Sequence, residues 1–159
     1  AMTIGVLFVC LGNICRSPTA DAVFTHKARA LGLDSRLHID SAGTGDWHLG
    51  EPPDRRSQRH AARRGYDLSM LRARQVLPED FLRFDFVLAM DRSNLADLER
   101  LRPGADVVTR PRLLLPYGSS GLLDVPDPYH GDEREFEVVL DLIEEAADAL
   151  LAHIRTTRL

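Results

Sequence analysis

The sequence predicts an α/β fold: one domain built on a four-stranded, parallel, twisted sheet with helices on both faces. Three observations carry this expectation. The runs "IGVLFV" (Ile4–Val9) and "DFVLAMD" (Asp85–Asp91) are apolar and rich in strand formers, as strands buried on both faces are. Segments of helical character alternate with such runs, which is the pattern of parallel strands joined by crossover helices. The chain has 159 residues, 44% hydrophobic and 28% charged, enough for one sizeable core and ordinary for a globular domain.

The elements follow in order. The first strand is Ile4–Val9. A helix begins near Ser17, with Ser17 as its N-cap, Pro18 at the first helical position and Gly32 near the C-cap. "LHIDSAG" is a second short strand ending at Ser41, followed by a loop rich in glycine and proline up to Pro53. Residues 54–64 read as a helix, and "PEDFLRF" as a short one with Pro78 near its start. The third strand, Asp85–Asp91, leads into the helix "SNLADLERL" with Ser93 as its cap. "ADVVTR" is the expected fourth strand. "LLPYGSSGLLDVPDPYHGD" is a long loop, and loops of that length in small domains are commonly functional. The terminal helix is amphipathic: Phe136, Val139, Leu140, Ile143, Ala147, Leu150, Leu151 and Ile154 keep the helical period. The whole is a Rossmann- or flavodoxin-like arrangement. Ligands in such sheets bind beyond the carboxyl ends of the strands.

Charge and cysteine usage narrow the function. A net charge of −4 argues against nucleic acid as a partner, and no apolar run is long enough to span a membrane. The one basic cluster, "RRSQRHAARR", places Arg55, Arg59 and Arg63 at i, i+4 spacing. It reads as a solvated helix face, with a docking patch for an acidic partner as the alternative. The N-terminus enters "TIGVLFVC" with no basic region or cleavage site, so no signal peptide is expected. The expected location is the cytoplasm, with export without a leader left open. Ala1, ahead of Met2, reads as a cloning remnant, so the domain is expected over residues 2–159.

Only Cys10 and Cys15 are present, both in "VCLGNICRSPT". Four residues separate them, and neither His26 nor His38 belongs to a ligand pattern, so a structural zinc site lacks its four ligands. A thioredoxin-type pair has two intervening residues, and a nucleotide-binding loop ends in Gly-Lys-Ser/Thr. What remains is an anion cradle, a phosphate-binding loop between the first strand and the first helix. The chain turns over Gly12 and Asn13, the residue types that best tolerate left-handed backbone. Successive N–H groups and the helix N-terminus then converge on one point. Arg16 adds a planar fork for two phosphate oxygens. Cys10 lies at the bottom, where the same field stabilises a thiolate, and the Ser17 hydroxyl can donate to the sulfur.

"CLGNICRS", within the run Val-x-Cys-x-Gly-Asn-x-Cys-Arg-Ser-Pro, resembles the signature loop of the low-molecular-weight protein tyrosine phosphatases. The likeness continues in "SAGTGDWHLGEPPD", in "ARQVLPEDFLRFDFVLAMDRSNL" and in "DPYHGD". It implies hydrolysis of protein phosphotyrosine and small aryl phosphates through a phosphocysteine, with neither metal nor cofactor. Cys10 is then the nucleophile, Arg16 the phosphate clamp and Asp127 the general acid. Asp127 lies between Pro126 and Pro128, where a stiff backbone holds a carboxyl at one point. The resemblance gives Asn13, Ser17 and Ser41 supporting roles and makes Trp47 and Tyr129 aromatic walls over the cradle. Leu11, Gly12, Ile14 and Cys15 complete the pocket. Phosphotyrosine proteins or peptides are the implied partners, with phosphate, sulfate or vanadate as ligands of the cradle. Spacing and resemblance together imply that Cys15 can form a reversible disulfide with oxidised Cys10.

Two positions depart from the family pattern. Leu71 stands where many relatives carry a histidine that anchors the loop asparagine, so Asn13 is expected to lean on Ser41. His130 stands where many have a second aromatic, sometimes a phosphorylation site. Three rival readings are kept. Arsenate reductases of this fold carry a downstream cysteine pair, and none follows Cys15. Arginine phosphatases tend to have threonine where Leu11 stands. A non-catalytic phosphate-binding module would be expected to have lost Cys10, Arg16 or Asp127.

Overall fold

The computed structural model describes residues 3–104 and 106–159. Ala1, Met2 and Ala105, the first residue of "ADVVTR", lie outside the described residues. The sheet has four parallel strands in the order β2-β1-β3-β4. They are β1 (Ile4–Cys10), β2 (Leu37–Gly43), β3 (Phe86–Ala89) and β4 (Pro111–Leu113). The helices are α1 (Arg16–Ala30), α2 (Arg55–Arg63), α3 (Asp80–Arg83), α4 (Arg92–Leu101) and α5 (Glu133–Arg158). None of them is long and apolar enough to cross a membrane, among the described residues.

β1 is buried along its whole length, as its unbroken apolar run requires. Its side chains alternate between two cores. Val6, Phe8 and Cys10 face the core built with α1 and α5, whereas Leu7 and Val9 face the one closed by Phe81, Phe84 and Leu98. Phe8 meets Phe24 of α1 edge-on at 5.5 Å. Each such fully buried side chain contributes about 1.5–3 kcal/mol by leaving water. Because β2 pairs with one edge of β1 and β3 with the other, the chain reverses direction across the sheet at β1. The crevice beyond the carboxyl ends of β1 and β3 is therefore where such a sheet accepts ligands.

Several boundaries differ from expectation. β2 continues two residues past Ser41, to Gly43. Gly43 has no room for a side chain: an added Cβ would lie 2.7 Å from the Leu11 carbonyl oxygen. β4 is Pro111–Leu113 rather than the stretch before it. The Arg102 guanidinium takes the carbonyls of Val107 and Thr109, so that backbone bonds a side chain instead of a neighbouring strand. A proline is tolerated as the first residue of an edge strand. The N-cap of α1 is Cys15, not Ser17, and that of α4 is Asp91, not Ser93. Asp91 Oδ1 accepts the Asn94 N–H at 2.7 Å. Gly32, just past α1, takes the left-handed φ of 70° that closes a helix.

The basic cluster on α2 divides. Arg55, Arg59 and Arg63 are exposed, as expected of a solvated face. Arg59 and Arg64 reach across to α5, pairing with Glu133 and with Glu137 and Glu144 respectively.

Candidate active site

The loop from Cys10 to Arg16 closes over the end of β1. Its turn rests on Asn13, whose φ of 57° is left-handed. Gly12 does not adopt such a φ. An added Cβ there would lie 3.0 Å from the His48 ring, a tight contact that this side chain would have to yield to. The end of β2 pins the loop from outside: Thr44 N–H donates to the Cys10 carbonyl at 2.9 Å and Gly45 N–H to that of Leu11 at 2.9 Å.

Cys10 Sγ is buried beside two hydrogen-bond partners. The Asn13 N–H lies 3.3 Å from it and the Ser17 hydroxyl 3.0 Å. Asn13 sets the direction of that hydroxyl. Its side-chain Nδ2 donates to Ser17 Oγ at 2.7 Å and to Ser41 Oγ at 3.0 Å, while its Oδ1 accepts the Arg74 N–H at 3.0 Å. The main-chain donor fixes which end of the amide is oxygen. With Ser17 Oγ already accepting, its own proton is free for the sulfur at 3.0 Å or the Ala42 carbonyl at 3.3 Å. Asn13 thus leans on Ser41, as the Leu71 departure suggested, and also on the Arg74 backbone. Leu71 itself packs against the main core.

Arg16 is 2% exposed. Its Nη1 donates to Asp91 Oδ2 at 2.6 Å and to the Val125 carbonyl at 3.0 Å. Its Nη2 lies 3.6 Å from Asp127 Oδ2. Burial works against the Arg16 charge, yet the Cys10 sulfur and Asp91 hold its pKa above the ordinary value. Asp91 was not foreseen as a site residue. The available signal was an acid directly after a buried strand, at the carboxyl end of the sheet.

Cys15, the second cysteine, is buried as well. Burial pushes the Cys15 thiol up to about 12, with the nearby charge of Asp54 adding and a hydrogen bond to Ser57 opposing. Cys15 packs with Ile14 and Ala73 in a small apolar cluster. A thiol in such a setting favours its neutral form.

Cys10, Leu11, Gly12, Ile14, Cys15, Arg16, Trp47, Asp127 and Tyr129 line one cavity of about 250 Å³. His48 and His130 line it as well. Trp47 is 68% exposed and belongs to the wall rather than to a core. It folds across Gly45, whose added Cβ would lie 1.9 Å from the indole. The His130 ring meets Tyr129 edge-on at 4.9 Å. A wider groove of about 950 Å³ runs along the β4 edge, and none of the predicted site residues lines it.

Behind the cradle lies Asp21, 6% exposed. Burial first and Asp40 second push its pKa up to about 7, against hydrogen bonds from Thr25 and Ser41. Between pH 4 and 7, roughly, the folded protein keeps a proton that the unfolded chain has released. Stability from this group therefore falls as pH rises through that window. Asp21→Asn should flatten the decline and gain up to roughly 4 kcal/mol over the parent at pH 8. Urea unfolding of both proteins at pH 5 and pH 8 checks this; parallel pH profiles would contradict it.

The family model for low molecular weight phosphotyrosine protein phosphatase matches residues 5–158. A protein of Streptomyces coelicolor named low molecular weight protein-tyrosine-phosphatase is 45% identical, covering 97% of this chain and 95% of its own. The crystal structure of YfkJ from Bacillus subtilis superposes with a TM-score of 0.93 at 41% identity, covering 100% of this chain and 99% of its own. The Drosophila arginine phosphatase has a TM-score of 0.89 at 31% identity, covering 96% and 98% of the two chains. The match runs from β1 to the last turn of α5 and takes in the cradle, its walls and the acidic loop: the chain belongs to the low molecular weight phosphotyrosine protein phosphatase family.

Proposed function

We propose that this chain hydrolyses protein phosphotyrosine through a phosphocysteine on Cys10. The observation that carries the reading is one cavity holding a buried sulfur, a buried guanidinium and a loop carboxylate, beneath two aromatic walls. The Cys10 thiolate attacks phosphorus in line with the aryl oxygen, forming the S–P bond as the P–O bond breaks. Arg16 and the loop N–H groups hold the equatorial oxygens. Asp127, protonated, gives its proton to the departing phenolate. It then takes a proton from a water that attacks phosphorus, breaking the S–P bond and releasing phosphate and the thiolate. Arg16 and the backbone dipoles supply the positive field, so no step calls on a metal.

Asn13, Ser17 and Ser41 support the sulfur and the loop shape. Leu11 and Ile14 form apolar sides of the slot. A slot walled by Trp47 and Tyr129 suits a flat phenyl phosphate, and a phosphoserine is too short to reach its floor. Leu11 favours the aryl ester over phosphoarginine. Phosphate, sulfate and vanadate fit the same cradle as ligands. A cytoplasmic setting belongs to this reading, because a catalytic thiolate needs a compartment that keeps thiols reduced.

Matched peptides carrying phosphotyrosine, phosphoserine or phosphoarginine test the assignment, with Cys10→Ser as control. Saturable hydrolysis of the phosphotyrosine peptide alone is expected. Preference for phosphoarginine would transfer the chain to the arginine-phosphatase reading, and no hydrolysis at all to that of a binding module.

A further inference from the structure

We propose that Arg56 is the positioning residue that sets the Asp127 loop over the cradle; this rests on Asp127 being the proton donor. The loop needs such a residue. The Asp127 side chain is 46% exposed, and its contacts are few. One oxygen lies 3.6 Å from Arg16 Nη2, and the other accepts the Tyr129 N–H at 3.1 Å. Neither contact fixes where the stretch 126–131 lies relative to the rest of the molecule.

Arg56 does. Its Nη2 donates to the Tyr129 carbonyl at 2.8 Å, and its Nη1 reaches the Gly131 carbonyl at 3.5 Å. Among the described residues, no other side chain from outside the loop donates to the backbone of 126–131. The main chain of Tyr129 is thus held at both ends, by Asp127 on its N–H and by Arg56 on its carbonyl.

The anchor is itself built into the cradle. Asp54 caps α2 by accepting the Arg56 N–H at 2.8 Å, and its carboxylate takes Arg56 Nε at 3.2 Å and Nη2 at 3.1 Å. The Asp54 N–H in turn donates to the Ile14 carbonyl at 2.8 Å, inside the loop that surrounds the sulfur. The guanidinium also lies over the Phe136 ring of α5, 4.7 Å from its centre. One planar fork therefore joins the phosphate loop, the start of α2, the start of α5 and the acid loop. A lysine presents a single point charge and cannot make this set of contacts. The cradle proper is held by Asn13, Ser17, Ser41 and Asp91, none of which touches Arg56. Loss of Arg56 should displace the acid and leave phosphate binding in place.

The experiment compares Arg56→Ala, Asp127→Ala and the double variant on phenyl phosphate, a poor leaving group, and dinitrophenyl phosphate, a good one. Arg56→Ala is expected to lower kcat/KM for the phenyl ester by about tenfold or more, since small misplacements of a reacting group cost that much. The kcat/KM of the dinitrophenyl ester and the inhibition constant of inorganic phosphate should be unchanged. In the Asp127→Ala background, Arg56→Ala should add nothing, because it acts through that carboxyl. Equal slowing of both esters, weakened phosphate inhibition, or losses that multiply in the double variant would overturn the proposal. Should the alanine variant fail to fold, Arg56→Lys decides on the same readings. If Asp127→Ala itself fails to distinguish the two esters, the acid assignment falls, and the positioning role with it.

Discussion

Cys10→Ser should lower the turnover of an aryl phosphate by more than about 10⁴-fold, since a serine hydroxyl in the same place is a far weaker nucleophile. The environment explains the size of the effect. Cys10 Sγ sits at the end of β1 with the Asn13 N–H at 3.3 Å and the Ser17 hydroxyl at 3.0 Å, both suited to an anion. Among the described residues, no base lies among its hydrogen-bond partners to take a proton from a serine there. Phosphate inhibition measured by displacement should survive the change, because Arg16 and the loop N–H groups remain. Steady-state kinetics with an aryl phosphate and phosphate binding by calorimetry check the two halves. Unchanged turnover would remove Cys10 from the chemistry.

Asp127→Ala should lower kcat/KM for poor leaving groups by about 10²–10³-fold and for good ones little, which is the range general acid catalysis supplies. A dinitrophenolate departs without a proton, whereas a phenolate does not. The geometry allows the role: Asp127 lines the same cavity as Cys10, and its carboxylate reaches to within 3.6 Å of Arg16. The checking measurement is kcat/KM, which reports P–O cleavage and not breakdown of the phosphocysteine, across a series of aryl phosphates of graded leaving-group pKa. Equal slowing across the series would mean that Asp127 is not the proton donor.

The sequence disclosed the site unevenly, for physical reasons. Cys10, Gly12, Asn13 and Arg16 are close neighbours in the chain, so the anion cradle was legible from a strand, a turn and a helix start in succession. Asp127 is more than a hundred residues away, and a carboxylate in a loop is ordinary on its own; only the likeness to a family singled it out. Asp91 and Arg56 escaped notice because their partners are 75 and 73 positions distant. The place of Asp91 after a buried strand marks it as near the ligand end of the sheet, but nothing local names Arg16 as its partner or puts the Arg56 guanidinium on another loop's carbonyls.

Misread elements have causes of the same kind. Ser17 and Ser93 have the right chemistry for N-caps, but the Ser17 hydroxyl is engaged by Cys10 and Asn13, and Asp91 takes the cap of α4. The valines at 107 and 108 suggest a strand, yet Arg102 occupies the carbonyls of Val107 and Thr109. The α/β class and the parallel sheet follow from the alternation of strand and helix patterns, and the amphipathic face of α5 from hydrophobic period; these agree with the structure.

The phosphocysteine is the centre of the account, and trapping it is the most direct test. Asp127→Ala should be mixed rapidly with dinitrophenyl phosphate, quenched in acid and digested, and its peptides analysed by mass spectrometry. Loss of the base that activates water slows breakdown of the intermediate, so it should accumulate. The account predicts one phosphoryl group on the peptide containing Cys10, on sulfur and absent from Cys10→Ser. A phosphoryl group on any other residue, or a burst of dinitrophenol with no phosphoenzyme, would contradict it.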